Sequence, residues 1–330
     1  MQHRASHVCI AVVLLAFACI GWTGQTATVA SESSGCTSEA PILLVYGFQP
    51  VPGFYAPSLW TTFLEAFSGR SVDEIEKLVS ESGHVVYRLQ AATKADRDVY
   101  VSDYCVRYEP TFRDVRFYAT RLAEEMEWIR ETYDVESFVV IGHSTGGLIA
   151  RCYIEAEDFE PVVGTDGFGE CETVYAGDVE ALITLSTPHH GVEYSIGVGL
   201  STLTAQLKPG SGLLSVLNGG TAGADVPYIS MAGQSCLGCA FRRDADVCRL
   251  ECIEQALAWE GSDLVVSMSS AYLEEARNIA CIGFDHVDMH TSAVLVEVIE
   301  AILEDQWTAD VLFGSDELAA LYVDALAEAR

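Results

Sequence analysis

Residues 138–151 decide the fold, and they read Phe-Val-Val-Ile-Gly-His-Ser-Thr-Gly-Gly-Leu-Ile-Ala-Arg. The four apolar, mostly β-branched residues at the start predict a fully buried strand of a parallel sheet. A Gly-x-Ser-x-Gly turn follows at once, and a run of small and apolar residues then predicts a helix. This order lifts a serine hydroxyl above the edge of a sheet. We therefore predict that Ser144 is a nucleophile; the alternative is a glycine-rich turn with an ordinary hydrogen-bonded serine.

Gly142 and Gly146 frame the predicted turn. A β-carbon at either position would collide with the neighbouring strand or helix in so sharp a bend. The five-residue pattern by itself is weak, because common residues produce it by chance. The strand before it and the helix after it make this occurrence specific.

The whole chain suits one large α/β domain. It has 330 residues, half of them hydrophobic, and a mean hydropathy of +0.23. Strands and helices alternate, which predicts a mostly parallel central sheet with helices on both faces. The predicted strands are 41–45, 84–89, 138–141, 181–185, 228–232 and 278–283. The predicted helical segments are 54–83, in two parts around 60–67 and 75–78, then 111–133 and 293–303.

The amino-terminal end of the sequence is typical of a secretory signal peptide. A thirteen-residue apolar run at 8–20 follows a short basic segment and is too short to span a bilayer as a helix. We predict a signal peptide at 1–30 and one mature domain at 31–330, secreted or periplasmic. Cys19 raises lipid attachment as an alternative, although the residues before it suit that modification poorly.

Charge narrows the classes of partner. Asp and Glu outnumber Lys and Arg by 48 to 18, which gives a net charge of −30. Nucleic acid and anionic membrane surfaces would be repelled, so neither is expected as a partner. The charge itself is most simply a solubility device, and it leaves neutral substrates free to approach.

Cysteines are frequent after the predicted signal peptide. They are Cys36, Cys105, Cys152, Cys171, Cys236, Cys239, Cys248, Cys252 and Cys281. In an exported chain disulfides are the default, and an odd number leaves at least one thiol free or paired between chains. Four of the nine fall in a cysteine-rich insertion at 234–262, where we expect two disulfides; tetrahedral zinc is the alternative by spacing.

Four segments carry a family resemblance. They read Gly-His-Ser-Thr-Gly-Gly-Leu-Ile-Ala-Arg at 142–151, Ile-Thr-Leu-Ser-Thr-Pro-His-His-Gly at 183–191, Gln-Leu-Lys-Pro-Gly-Ser at 206–211 and Asp-Leu-Val-Val at 263–266. In this order they resemble the secreted bacterial lipases of the α/β-hydrolase family, over residues 40–303. The resemblance implies an α/β-hydrolase fold with an eight-stranded sheet, and ester hydrolysis by a serine–aspartate–histidine triad. The chain departs from that family at Tyr46, where a histidine usually precedes the glycine of the oxyanion loop.

The histidine of such a triad must follow the serine and the acid in the chain. His286 comes directly after a predicted strand, in a loop that would aim it back at Ser144. His290 lies one helical turn further, beside residues that suit the start of a helix. We favour His286. His189 and His190 precede any suitable acid and fit a pocket wall better.

The acid is predicted at Asp263, which stands between a loop and an apolar run and matches the position of the acid in the resembling family. The alternatives are Asp225, Asp244 and Asp246. A neutral His286 can take the serine proton, and a carboxylate can hold its tautomer and stabilise the imidazolium. The backbone N–H groups of Phe48 and Thr145 are the candidate oxyanion donors.

The segment 192–226 is rich in leucine and glycine and lies between two predicted strands. It is either a mobile lid or a cap packed on the core. Asp288 matches a calcium position in some of the resembling lipases, but a carboxylate at a helix start needs no metal. We expect no catalytic metal and no cofactor, with structural calcium as the alternative.

Together these observations predict a secreted serine carboxylic-ester hydrolase. A triacylglycerol lipase or lipid esterase is favoured, acting on a neutral lipid or ester and meeting a lipid interface transiently. An acyltransferase or phospholipase would use the same triad. A non-catalytic binding protein that keeps the fold is the alternative from another class.

Overall fold

The structure is a computed structural model, and it describes residues 40–47, 56–104, 113–155, 162–163, 170–171, 174–192, 202–220, 225–237 and 244–328. The predicted signal peptide 1–30 lies outside the described residues, as do Phe48, Cys239 and parts of the insertion 192–226.

The elements alternate along the chain. The strands are β1 (Ile42–Val45), β2 (Glu76–Val79), β3 (Val85–Leu89), β4 (Val99–Ser102), β5 (Phe138–His143), β6 (Val162–Val163), β7 (Glu170–Cys171), β8 (Val179–Leu185), β9 (Tyr228–Gln234), β10 (Arg277–Ile282) and β11 (Val311–Phe313). The helices are α1 (Ala56–Leu59), α2 (Thr61–Ser68), α3 (Val115–Tyr133), α4 (Thr145–Ile154), α5 (Thr202–Gln206), α6 (Gly212–Leu217), α7 (Ala245–Leu257), α8 (Met268–Ala271), α9 (Asp288–Thr291), α10 (Ala293–Leu303) and α11 (Asp316–Glu328).

Among the described residues, nine strands form one sheet in the order β11-β10-β9-β8-β5-β1-β4-β3-β2. The pairs from β11 to β4 are parallel, whereas β3 is antiparallel to both β4 and β2. The short strands β6 and β7 form a separate antiparallel pair. Because the central strands are parallel, their carboxyl ends meet at one edge, where loops can bring distant residues together.

Each face of the sheet is covered by helices, and this is visible in β1. Ile42 and Leu44 pack into a cluster with α2 and α10, whereas Leu43 and Val45 pack into a second cluster with α3, α4, α5 and α6. All four side chains are fully buried. Burial of each such side chain stabilises the fold by roughly 1.5–3 kcal/mol, so the apolar centre of the sheet fixes both layers.

The six predicted strands are present, but the helical interpretation around 75–78 is wrong. A short 3₁₀ turn at Val72–Glu74 leads instead into the edge strand β2. A single apolar spacing of three residues does not distinguish a helix turn from a strand, and pairing with β3 decides the outcome. Strands β4 and β11 and helix α11 were not predicted, and the sheet has nine strands rather than the implied eight.

The described part of the insertion 192–226 packs on the core. The leucines of α5 and α6 lie in the same cluster as α3 and α4; they are Leu203, Leu213, Leu214 and Leu217. All four are buried. This arrangement fits the cap alternative for 202–220, whereas residues 193–201 and 221–224 lie outside the described residues.

A disulfide joins Cys236, just after β9, to Cys252 on α7, with the two Cα atoms 5.9 Å apart. The second expected disulfide stays a prediction, because Cys239 lies outside the described residues. Cys152 and Cys281 are buried thiols, and burial raises the pKa of both. In the part of the chain that the structure describes, no helix has both the length and the apolar character needed to cross a bilayer.

Candidate active site

The turn between β5 and α4 holds Ser144 in a strained backbone conformation, with φ 54° and ψ −130°. A β-carbon on Gly146 would come within 2.2 Å of the carbonyl oxygen of Val45, and one on Gly142 within 2.6 Å of the Cα of Gly147. Both positions therefore exclude any side chain. A non-glycine residue at positive φ typically costs about 1–3 kcal/mol, and such strain is often found at functional sites.

Three predicted residues meet at the carboxyl edge of the sheet. The Nε2 atom of His286 lies 3.1 Å from the Oγ of Ser144, and its Nδ1 atom lies 2.7 Å from the Oδ2 of Asp263. Asp263 is completely buried, whereas the His286 side chain is 14% exposed. The arrangement is a hydroxyl, an imidazole and a carboxylate in a hydrogen-bonded row.

The carboxylate is held from several sides. Its second oxygen, Oδ1, accepts the backbone N–H groups of Val265 at 2.9 Å and Val266 at 2.7 Å. The carbonyl oxygen of Asp263 accepts the backbone N–H of His286 at 3.0 Å. The first two bonds orient the carboxylate, and the third ties the loop that carries Asp263 to the loop that carries His286.

The other candidate acids lie elsewhere. Asp244 caps α7 by accepting the N–H of Val247, and Asp246 lies 3.9 Å from Arg249 on the same helix. Asp288, a candidate calcium position and not a candidate acid, accepts the backbone N–H of Asp285 in the loop after β10. In the described ranges no three His, Cys, Asp or Glu residues are grouped as a metal site.

His290 does not reach the serine. It lies behind His143, with the two ring centroids 4.3 Å apart, and His143 in turn lies 4.7 Å from His286. Burial lowers the pKa of His290 to about 4 and holds that of His143 well below its usual value.

The loop after β1 approaches the serine closely. A β-carbon on Gly47 would lie 2.8 Å from both the Cβ of Ser144 and the backbone nitrogen of Thr145. The hydroxyl of Tyr104 lies 2.5 Å from the carbonyl oxygen of Tyr46 and 2.8 Å from that of Gly47. The sequence does not predict this contact of Tyr104, because Tyr104 follows β4, a strand that was not predicted.

The predicted pocket-wall histidines have separate environments. His189 is buried, with Nδ1 3.2 Å from Arg151 and Nε2 3.1 Å from the Oγ1 of Thr184. Burial, and then the charge of Arg151, hold the pKa of His189 well below its usual value. His190 lines a cavity of about 150 Å³ beside Arg151 and Glu155, and Ser144 is not in its lining.

Arg151 lies at the centre of a buried hydrogen-bond network that the sequence does not predict. Its Nε atom donates to Glu155 at 2.8 Å, and its Nη2 atom donates to the carbonyl oxygen of Leu217 at 2.8 Å. Its Nη1 atom donates to Asn218 at 3.1 Å. Helix α4, which begins at the nucleophile, is thus tied directly to the end of α6 in the insertion.

Comparisons with known proteins bear on the fold and on the class of enzyme. Residues 82–229 match a family model described as "Putative serine esterase". No curated protein matches the chain. The mature form of the Bacillus licheniformis lipase BlEst2 is 17% identical, with a TM-score of 0.51 over 80% of this chain and 91% of that chain. Its propeptide form is 16% identical, with a TM-score of 0.52 over 82% of this chain and 51% of that chain.

At such identities the structural likeness concerns the fold alone. The mostly parallel sheet, its flanking helices and the two lipase structures together show the α/β-hydrolase fold. The family match adds support for a serine esterase.

Proposed function

We propose that this protein is a serine carboxylic-ester hydrolase that works through an acyl-enzyme on Ser144. The observation that carries the proposal is the row formed by Ser144, His286 and Asp263, with separations of 3.1 Å and 2.7 Å. The row begins at a strained turn that exposes the hydroxyl to the carboxyl edge of the sheet.

His286 acts first as a base. Its Nε2 atom takes the hydroxyl proton while Oγ of Ser144 forms a bond to the ester carbonyl carbon, and the carbonyl oxygen becomes an oxyanion. Asp263 holds the Nδ1–H tautomer and stabilises the imidazolium. The intermediate collapses, the C–O bond to the alcohol breaks, and His286 gives its proton to the departing alcohol oxygen.

Water then repeats the sequence on the acyl-enzyme. His286 takes a proton from water, the hydroxide oxygen bonds to the acyl carbon, and the bond to Oγ breaks as the proton returns to Ser144. The backbone N–H of Thr145 and that of Phe48 are the proposed oxyanion donors, which would stabilise both tetrahedral intermediates.

The proposed substrate class is a neutral, apolar ester, with a triacylglycerol or another lipid ester favoured. The net charge of −30 disfavours anionic substrates and surfaces. Exposed apolar side chains also follow the acid and the base directly: Leu264 is 64% and Val287 is 58% exposed. An acyltransferase or phospholipase would need the same row of residues and differ in acceptor or headgroup.

Covalent labelling with a fluorophosphonate and turnover of p-nitrophenyl esters of increasing acyl length test the proposal. The wild-type protein should be labelled on Ser144 and should hydrolyse the esters, and Ser144→Ala should lose both properties by several orders of magnitude. A folded wild-type protein that is neither labelled nor active would instead be a non-catalytic binding protein.

Export is a separate proposal, supported by the basic and apolar pattern at 1–30. Mass spectrometry of the amino-terminal peptide of the protein recovered from culture medium or periplasm tests it. A mature chain that begins near residue 31 is the expected result, and a chain that keeps residues 1–30 would contradict it.

A further inference from the structure

Three imidazole rings lie in a row beside the catalytic edge of the sheet. The His143 ring stands between the other two, 4.7 Å from the centroid of His286 and 4.3 Å from that of His290. His143 ends β5 and directly precedes the nucleophile, whereas the other two rings come from the loop after β10 and from α9. The row therefore connects the turn that carries the serine to the loop that carries the base.

A hydrogen bond links the first two members. The Nε2 atom of His143 lies 3.0 Å from the backbone carbonyl oxygen of His286. A carbonyl oxygen only accepts, so Nε2 of His143 carries the proton. The Nδ1 atom of His143 is buried and has no hydrogen-bond partner in the described part of the chain. The geometry thus makes His143 a hydrogen-bond donor to the backbone of His286.

The surroundings of His143 favour the neutral form of its ring. Burial, followed by repulsion from His286 and His290, holds the pKa of His143 well below its usual value. The hydrogen-bond donor is therefore present without a second positive charge. Such a charge, 4.7 Å from the base, would oppose formation of the imidazolium.

Aromatic side chains restrict the rings further. The Tyr46 ring lies 5.3 Å from both His143 and His290. Trp60 lies 6.4 Å from the first and 6.1 Å from the second, edge to face in both cases. His143 is only 1% exposed, so it has little room to turn away from the carbonyl it binds.

We propose that His143 is a positioning residue for His286, with His290 packed behind it, an inference that rests on the proposed function. With this bond, both ring nitrogens and both backbone polar atoms of His286 have partners: Ser144, Asp263 and His143. The N–H of the backbone bonds to Asp263 and the carbonyl bonds to His143; a hydrogen bond from His290 to the backbone of His286 adds to this support. The bond fixes the distance over which the base takes the serine proton, and small misplacements of reacting groups are costly in rate.

Two variants distinguish the effect of the Nε2–H donor of His143 from the effect of its aromatic ring. His143→Phe keeps an aromatic ring but cannot donate, whereas His143→Gln places an amide N–H near the position of Nε2. With a soluble p-nitrophenyl ester, His143→Phe should lower kcat by about 10–100-fold with KM changed less than about twofold. His143→Gln should recover most of kcat. His84→Phe is the control, because His84 is also buried but pairs with Glu124 on α3, and its kcat should match the wild type.

A double-mutant cycle with His286→Ala distinguishes positioning from general structural damage. If His143 acts through His286, His143→Phe should not lower the residual activity of His286→Ala any further. Any one of three results would overturn the inference. They are equal losses in both backgrounds, an unchanged kcat in His143→Phe, and a His143→Gln variant as slow as His143→Phe. Should His143→Phe fail to fold, His143→Leu replaces it in the same cycle. Wild-type activity in His286→Ala would instead refute the proposed function.

Discussion

The phenol of Tyr104 supports the carbonyl of Tyr46 at 2.5 Å, and it does so from the end of β4, next to β1 in the sheet. The same hydroxyl lies 2.8 Å from the carbonyl of Gly47. The buried side chain of Tyr104 therefore holds the loop that approaches the nucleophile. In this chain Tyr46 takes the place where the resembling lipases usually have histidine, and its ring packs against His143 instead.

Tyr104→Phe removes this support while keeping the ring. We expect kcat to fall about tenfold with a smaller change in KM, because the loop beside Ser144 would then hold its proposed oxyanion donor less firmly. The free energy of unfolding should fall by about 1–2 kcal/mol, since the single phenol proton shared by the two carbonyls is lost. Tyr118→Phe is the control: its ring packs against Tyr104, and its hydroxyl accepts the backbone N–H of Arg113 at 3.2 Å. A Tyr104→Phe variant with wild-type kcat would contradict the assigned role.

Asp263→Asn tests the acid. The amide removes the negative charge and favours the wrong tautomer of His286, so we expect kcat to fall by about 10⁴-fold. Asp244→Asn is the matched control; Asp244 caps α7, and asparagine caps as well as aspartate, so activity and stability should stay near wild type. Steady-state kinetics on one soluble ester compares the two. Equal, small effects of both changes would remove Asp263 from the mechanism.

Arg151→Met tests the tie between α4 and the insertion. Glu155 is 2% exposed, and without Arg151 its buried carboxylate would keep the Tyr228 hydroxyl, 3.0 Å away, but lose the positive charge it pairs with. Breaking such a pair costs roughly 3–5 kcal/mol, and we expect Arg151→Met to lose about that much stability in urea unfolding. A second change, Glu155→Gln, should restore part of the loss.

A surface pair provides the comparison for this experiment. Arg249 lies 3.0 Å from Glu317, and the side chains are 34% and 70% exposed. Arg249→Met should change stability by less than about 1 kcal/mol. Similar losses for Arg151→Met and Arg249→Met would mean that the buried network does not anchor α6 to α4.

Leu264 has a φ of 84° although its side chain is 64% exposed. Leucine therefore gains little from burial at a position where its backbone is strained. Asparagine tolerates positive φ far better, so Leu264→Asn should raise the free energy of unfolding by about 1 kcal/mol. Leu264→Ala keeps a β-carbon without that tolerance and should give no such gain. Equal stabilities of the two variants in urea unfolding would show that the turn is not strained by its side chain.

The sequence predicts those parts of the site that depend on local order. Ser144 is recognisable because strand, turn and helix follow one another within 138–151. Asp263 and His286 follow from chain order and from the resemblance, and the structure brings all three together. The three residues come together once the strands that precede them lie parallel in one sheet, and the alternation of strands and helices already indicates such a sheet.

Contacts between segments distant in sequence are harder to predict. Tyr104 can be assigned only when β4 is known to lie beside β1, and β4 is a four-residue strand without a clear pattern. The Arg151 network likewise joins α4 to a segment more than sixty residues away. Around 75–78 the apolar spacing indicates a helix, but cross-strand pairing with β3 overrides this local preference.

His290 provides a test of pH dependence. Burial lowers its pKa from 6.5 to about 4; a hydrogen bond to the backbone of His286 acts in the opposite direction, the charge of His286 lowers the pKa further, and Asp285 raises it. Between these values the unfolded chain binds a proton that the folded protein does not, so stability rises with pH across the window. The stability that depends on neutral, buried His290 is therefore fully present above pH 6.5 and is lost as the pH falls towards 4.

His290→Gln removes this titration while keeping a polar side chain of similar size. The wild-type protein should lose stability relative to His290→Gln as the pH falls from about 7 to about 4.5, by a total of roughly 2.5 kcal/mol. The difference between the two proteins isolates His290 from other buried groups, such as Glu125, whose pKa burial raises and whose effect has the opposite sign. Urea unfolding at several pH values gives that difference directly. A constant difference across the range would mean that His290 titrates alike in the folded and unfolded states, and that the ring is not sealed behind His143.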